Sequence, residues 1–238
     1  MKSGRAVLLI ADISGYTDYM SSHRFSLSHA EVNTARMLEK MIDAAPGYDL
    51  IEIEGDAAFL SRQADMRDPE TTVTEILQAA ASMHRAFHLE RQNVAANLCP
   101  CAGCKEAAEL KLKFVAHIGD VATQTIRQRL KLVGIDVILV HRLLKNSVPI
   151  PEYVLLSEEL YSTGETSLPD SVHEISPELE GIGTVRAYFV DVGDLESSLP
   201  PLPGPSWRGR LGRTFAAAGL GMPYLLGLRR HRRAVPTG

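Results

Sequence analysis

The chain has 238 residues, a net charge of −4, 45% hydrophobic and 23% charged residues. This suits one large α/β domain plus extensions, with enough apolar material for a core. No run approaches the roughly 20 consecutive apolar residues of a membrane span, and three cysteines packed into one short segment argue against a disulfide framework.

The N-terminus, MKSGRAVLLIADISGYT, places one Lys and one Arg before a short apolar run. Asp12 interrupts that run and no small-residue cleavage site follows, so a buried strand is expected rather than a signal peptide, and the chain is expected in the cytoplasm. Ala6–Ala11 reads as a strand buried on both faces and closed by the turn-forming pair Ser14-Gly15. From about 18 to 44, Val32, Ala35, Leu38, Met41 and Ile42 recur at helical spacing, up to Pro46-Gly47. Residues 50–54 alternate, Gly55 turns the chain, and residues 57–61 complete a hairpin. At strand period Glu52, Glu54 and Asp56 share one face, which crowds three carboxylates together unless Gly55 breaks the alternation or cations intervene.

A long amphipathic helix is expected from about 69 to 96, with Val73, Ile76, Leu77, Ala80, Met83 and Phe87 on its buried stripe. An insertion of about 97–109 follows. Cys99, Cys101 and Cys104 give three soft ligands in the pattern C-x-C-x-x-C, one short of the four that zinc prefers, with His117, His84 and His88 as candidates for the fourth. The alternative is a redox-sensitive or structural loop. Residues 110–118 alternate, Gly119 is expected to turn them, and 121–126 to return as the hairpin partner. Residues 134–145 form a third helix, and 153–156, 172–175 and 185–192 are further strands. Helices alternating with hairpins point to an α+β fold with helices packed on a mixed or antiparallel sheet.

The organisation is a domain over 1–198 and a Pro-rich linker and basic tail over 199–238. Beyond Pro201 there are seven arginines and no acid. The other 18 bases stand against all 29 acids, so residues 1–200 carry −11 and the tail +7. With Trp207, Phe215 and Tyr224 among the arginines, the tail is suited to peripheral contact with an anionic membrane. Its many glycines make a poor helix, which favours a solvated extension instead. Nothing in it reads as a nucleic-acid motif.

Four segments in register resemble the landmarks of class III adenylyl and guanylyl cyclases: ADISGYT (11–17), EIEGDAAF (52–59), FVAHIGDV (114–121) with GIDVILVHRL (134–143), and GIGTVRAYFV (181–190). The CPCAGC insertion and the HRLLKN helix also look like a bacterial subgroup of cyclase-like proteins. The resemblance implies a ferredoxin-like cyclase fold and a homodimer whose sites take both Asp from one copy and the Arg helix from the other. It further implies two Mg²⁺ or Mn²⁺ ions held at Asp12, Ile13 and Asp56. A nucleoside triphosphate would meet Gly15, Tyr16, Thr17, Glu52 and Lys131, with Arg142 as the transition-state Arg. Paired divalent ions suit such chemistry because they activate the attacking oxygen and neutralise the leaving group. Read alone, Asp12 is equally a turn or capping residue and Asp56 a hairpin residue.

The chain departs from that pattern at two positions. Ile138 stands where the family has its catalytic Asn, one turn before Arg142, and Ile182 where it has a Lys for the terminal phosphates. Losing one preorganised polar group of this kind costs a factor of about 10²–10³ in rate. The reading favoured is therefore a cyclase-like nucleotide- and metal-binding domain with a regulatory or binding role. The alternative is an active cyclase in which Lys131, Lys145 or Asn146 replaces the missing groups. Glu52 facing Lys131 is expected to pair with it instead of reading a base, leaving no purine preference.

Overall fold

Strand β1 (Ser3–Ser14) is the spine of the molecule, and its alternation explains the two cores. Val7, Leu9, Ala11 and Ile13 point to one side of the sheet and Ala6, Leu8 and Ile10 to the other, all buried. A continuous apolar run of this kind is what a strand covered on both faces needs. The computed structural model describes residues 3–22, 27–65, 69–96, 102–127, 129–164, 168, 171–197 and 199–204.

The elements that follow are α1 (Tyr16–Ser22), α2 (Leu27–Asp43), β2 (Asp49–Glu54), β3 (Ala57–Gln63), α3 (Pro69–Ala95), α4 (Ala102–Glu106), β4 (Lys111–Ile126) and β5 (Arg129–Val133). Then come α5 (Ile135–Leu143), β6 (Tyr153–Ser157), α6 (Glu158–Tyr161), β7 (His173–Ile175), β8 (Glu178–Leu179), β9 (Gly183–Thr184), β10 (Ala187–Asp191) and α7 (Val192–Glu196). The main sheet has the order β2-β3-β1-β4-β6-β10-β7, with β5 paired to β4 off that path, and β8-β9 form a separate small ribbon. Most pairs are antiparallel, but β4 and β6 are parallel, so the sheet is mixed.

On one face Met37 and Met41 of α2 and Val73, Ile76, Met83 and Phe87 of α3 cover β1, β3 and β4. On the other, Leu139, Val140 and Leu143 of α5 close a smaller core with Phe59, Val115, Leu155 and Phe189. The α+β expectation therefore holds, with the long helix at its expected place.

Of the helix expected over about 18–44, the structure describes α1 and α2, with 23–26 outside the described residues. One element differs from expectation. Gly119 does not turn the chain: β4 runs straight through it and pairs with β1 from Ser3↔Ala122 to Ser14↔Lys111. Glycine is required there by packing, since a Cβ would lie 2.4 Å from the Asp136 carboxyl group. The reversal comes at Arg127, whose φ is 57°, and β5 is the true hairpin partner.

No helix among the described residues is long and apolar enough to cross a membrane. The basic tail, with its expected membrane contact, lies outside the described residues from 205 onward.

Candidate functional site

Asp12 lies near the C-terminal end of β1, flanked across the strands by Ala57 and Lys113. The β2–β3 hairpin brings Asp56 to the same place. Gly55 takes φ +65°, a left-handed conformation that suits glycine, and this leaves Asp56 in the turn beside β1. The Ile13 amide donates to the Asp56 carbonyl at 3.3 Å, so the two acidic positions are tied by the backbone. Burial, and then the Asp12 carboxylate, push the Asp56 pKa above the ordinary carboxylate value, while Lys113 works the other way. Such a desolvated pair of hard oxygen donors fits a divalent cation. The Ile13 side chain is core, so Ile13 can offer only its backbone. Tyr16, in the first turn of α1, feels the same field: burial and then Asp56 raise its phenol pKa.

Lys113 Nζ stands 3.2 Å from Asp12 Oδ2. This ammonium was not picked out from sequence. The register Asp12↔Lys113 across β1 and β4 creates it, and that register could not be read while β4 was expected to end at Gly119.

Of the three carboxylates expected to crowd one face, Glu52 and Glu54 take separate partners. Glu52 lies 3.6 Å from Lys131 Nζ, the pairing expected of them, and Glu54 lies 3.5 Å from His141. A bulge between Leu50 and Glu52 shifts the register, and Gly55 breaks the alternation before Asp56.

Arg142 projects from α5 toward the loop before β9. Its Nη1 is 3.9 Å from Glu180 Oε2 and would be 3.6 Å from a Cβ on Gly181. That Nη1 is buried and makes no hydrogen bond. Residues 178–183 line a pocket of about 430 Å³ beside it. The structure thus brings Asp12 and Asp56 together and gives Arg142 different neighbours on the α5 side. Ile138 is 47% exposed on α5, and Ile182 is half-buried against the smaller core. Asn146 is engaged structurally: its Nδ2 donates to Leu143 O, and its Oδ1 accepts from Val148 N and Tyr153 Oη.

Of the cysteine loop, Cys99 and Cys101 lie outside the described residues. Cys104 is buried on α4, and Asn33 Nδ2 donates to its Sγ at 3.8 Å. The three histidines considered for a fourth ligand all have other partners. His117 is buried, with Nδ1 2.7 Å from Ser157 Oγ and Nε2 3.3 Å from Asp136. His84 and His88 converge on Glu152, which the sequence reading did not single out. The i,i+4 spacing of the two histidines was visible, but a carboxylate 64 residues after His88 was not.

Comparison with known proteins fits this architecture. Residues 34–153 match the family described as "Protein of unknown function (DUF2652)". The uncharacterized protein Rv2561/Rv2562 of Mycobacterium tuberculosis is 33% identical over 198 residues, covering 82% of this chain and 90% of its own. Among solved structures, the adenylyl cyclase CyaB from P. aeruginosa superposes with a TM-score of 0.59 at 18% identity, covering 80% of this chain and 95% of its own. The guanylate cyclase domain of RhGC from Catenaria anguillulae, solved in complex with GTP, gives 0.61 at 16% identity, covering 80% and 98%. Identities this low speak for the fold alone. The chain therefore belongs to the DUF2652 family and has the fold of a class III nucleotidyl cyclase domain.

Proposed function

We propose that this domain binds a nucleoside triphosphate with divalent cations and works as a binding or regulatory module with little or no turnover. The observation that supports it best is the pairing of Asp12 with a desolvated Asp56 at one end of the sheet. Asp12 and Asp56, with the Ile13 backbone, would hold Mg²⁺ or Mn²⁺. Such ions neutralise phosphate charge when bound. Gly15, Tyr16 and Thr17 are the proposed phosphate contacts. Arg142 would be offered by a second copy of the chain, as in the resemblance to dimeric cyclases.

Three features favour binding over turnover. Lys113 Nζ, 3.2 Å from Asp12 Oδ2, would compete with a cation for that carboxylate. The side chains at Ile138 and Ile182 can neither orient a ribose nor hold a phosphate. Asn146 is held by α5 and Tyr153, and Lys131 lies 3.6 Å from Glu52, so two of the three candidate replacements are already engaged. The Glu52–Lys131 pair also leaves the base pocket without a purine reader, and GTP and ATP should bind within a few-fold of each other.

The test is product analysis by mass spectrometry with each of the four nucleoside triphosphates and Mn²⁺, beside a titration with fluorescent ATP and GTP analogues. Mn²⁺-dependent nucleotide binding that weakens at least tenfold in Asp56→Asn, with no cyclic product, is the expected result. A cyclic product abolished by Asp12→Ala would establish the active-cyclase alternative. Failure to bind any nucleotide would remove the proposal.

A further inference from the structure

Away from the Asp12–Asp56 end, a second group of ligating side chains is buried between α3 and the start of β6. His84 and His88 are separated by one helical turn and so share a face of α3. Both are more than nine-tenths buried. Glu152, just before β6, reaches both: its Oε1 is 3.3 Å from His84 Nε2 and 2.7 Å from His88 Nε2. One ligand atom from each of the three residues lies within 4.8 Å of the other two. We infer that His84, His88 and Glu152 form a binding site for a zinc-class divalent transition-metal ion that clamps α3 to the β6 edge of the sheet.

Four observations carry this. The donor set, two imidazole nitrogens and one carboxylate oxygen, is one that zinc accepts, with a fourth position left for water. Tetrahedral coordination at zinc–ligand distances of about 2.0–2.1 Å separates neighbouring donors by about 3.3 Å. The His84–Glu152 separation already matches, and His88 would move outward by only a fraction of an ångström.

The second observation is His84 Nε2 itself, a buried nitrogen aimed into the cluster that makes no hydrogen bond there. Third, the other nitrogen of that ring is fixed from behind: His84 Nδ1 is 2.6 Å from Glu196 Oε1 at the end of α7. A carboxylate on the distal nitrogen is the usual device for orienting a metal-bound imidazole and raising its basicity. Glu152 is also anchored, its Oε1 accepting the Leu112 amide at 3.1 Å.

The fourth is charge. Two carboxylates, Glu152 and Glu196, sit mostly buried around the two rings, each with only about a fifth of its side chain exposed. Arg85 lies 4.0 Å from Glu196. Two mostly buried carboxylates facing one guanidinium at 4.0 Å leave the cluster short of positive charge. A divalent ion would supply that positive charge with both imidazoles neutral. The open fifth of Glu152 is a path for entry.

The cysteine loop and the Asp12–Asp56 pair are the competing sites, so the test separates them. Full-length protein without a His-tag, the His88→Gln and Glu152→Gln variants, Cys104→Ser and Asp12→Asn are loaded with Zn²⁺, desalted and analysed for metal content. One equivalent should persist in Cys104→Ser and Asp12→Asn and fall at least tenfold in His88→Gln and Glu152→Gln. Circular dichroism checks that each variant is folded. In case the variants do not fold, Co²⁺ loading of Cys104→Ser gives an independent answer. Tetrahedral d–d bands without a thiolate charge-transfer band are expected. Zinc retained by folded His88→Gln, zinc lost with the cysteine, or no d–d bands from Co²⁺ would each overturn the site. Because Asp12→Asn should keep this ion, the outcome is independent of nucleotide binding.

Discussion

His117 shows how far burial decides the state of a single side chain. It is 1% exposed, with Ser157 Oγ on Nδ1 and Asp136 near Nε2. Glu159 and Arg5 are the other charges that act on it. Burial lowers its pKa below the ordinary histidine value, and the attraction of Glu159 and Asp136 does not recover the loss. A histidine neutral in the fold but ordinary when unfolded takes up its proton preferentially in the unfolded chain. Its contribution to stability is thus complete above about pH 6.5 and lost as pH falls from there toward the lowered folded value, at up to about 1.4 kcal/mol per pH unit. Urea unfolding at pH 7.5, 6.5 and 5.5 should show this decline, and His117→Gln should flatten it. An unchanged slope in the variant would assign the pH dependence to other groups.

Among the elements, β4 tests how glycine should be read. Gly119 sits in a sixteen-residue strand, and its missing side chain makes room for Asp136 in the first turn of α5. The Asp136 carboxylate accepts the Asp120 amide at 2.6 Å, so helix and strand are bonded at the point of closest approach. Gly119→Ala should cost roughly 1–3 kcal/mol, typical of overpacking. That corresponds to a fall in Tm of about 2–4 °C per kcal/mol for a domain of this size. In Asp136→Gly the same substitution should cost much less, since the carboxyl group and the Cβ it would meet are both gone, and a double-mutant cycle by thermal melting reads the coupling.

This element also marks where legibility ended. The buried β1 run, the α3 stripe and the Gly55 hairpin carry their periods within a few residues, so local pattern located them. The role of Gly119 and the Lys113–Asp12 contact depend on a partner strand or helix distant in sequence. Periodicity carries no information about that. Asp12 and Asp56, the residues of the proposed cation site, stood out for the same local reason, while Glu152 entered its cluster only through tertiary packing.

For the whole molecule, the surface is least self-sufficient around α5 and the end of β4. Among the described residues, pairing of β4 with β1 ends at Ala122, and Thr123–Ile126 pairs with β5. A two-stranded ribbon is marginally stable in water without further packing. Ile126 is 51% exposed at its end, and Ile135 and Ile138 are 63% and 47% exposed one turn apart on α5. Single exposed apolar residues are ordinary. A pair on one face of the helix that carries Arg142, beside the end of this ribbon, suits the second copy proposed above. Ile135 and Ile138 are peripheral to the chain's own core, so replacing them should alter association and leave the fold intact. Sedimentation velocity should give a dimer for the native chain and a monomer for Ile135→Asp/Ile138→Asp, with melting of the monomer little changed at high dilution. A native chain that sediments as a monomer at tens of micromolar would leave Arg142 with no partner site to enter. The proposed nucleotide site would then have to be completed within one copy.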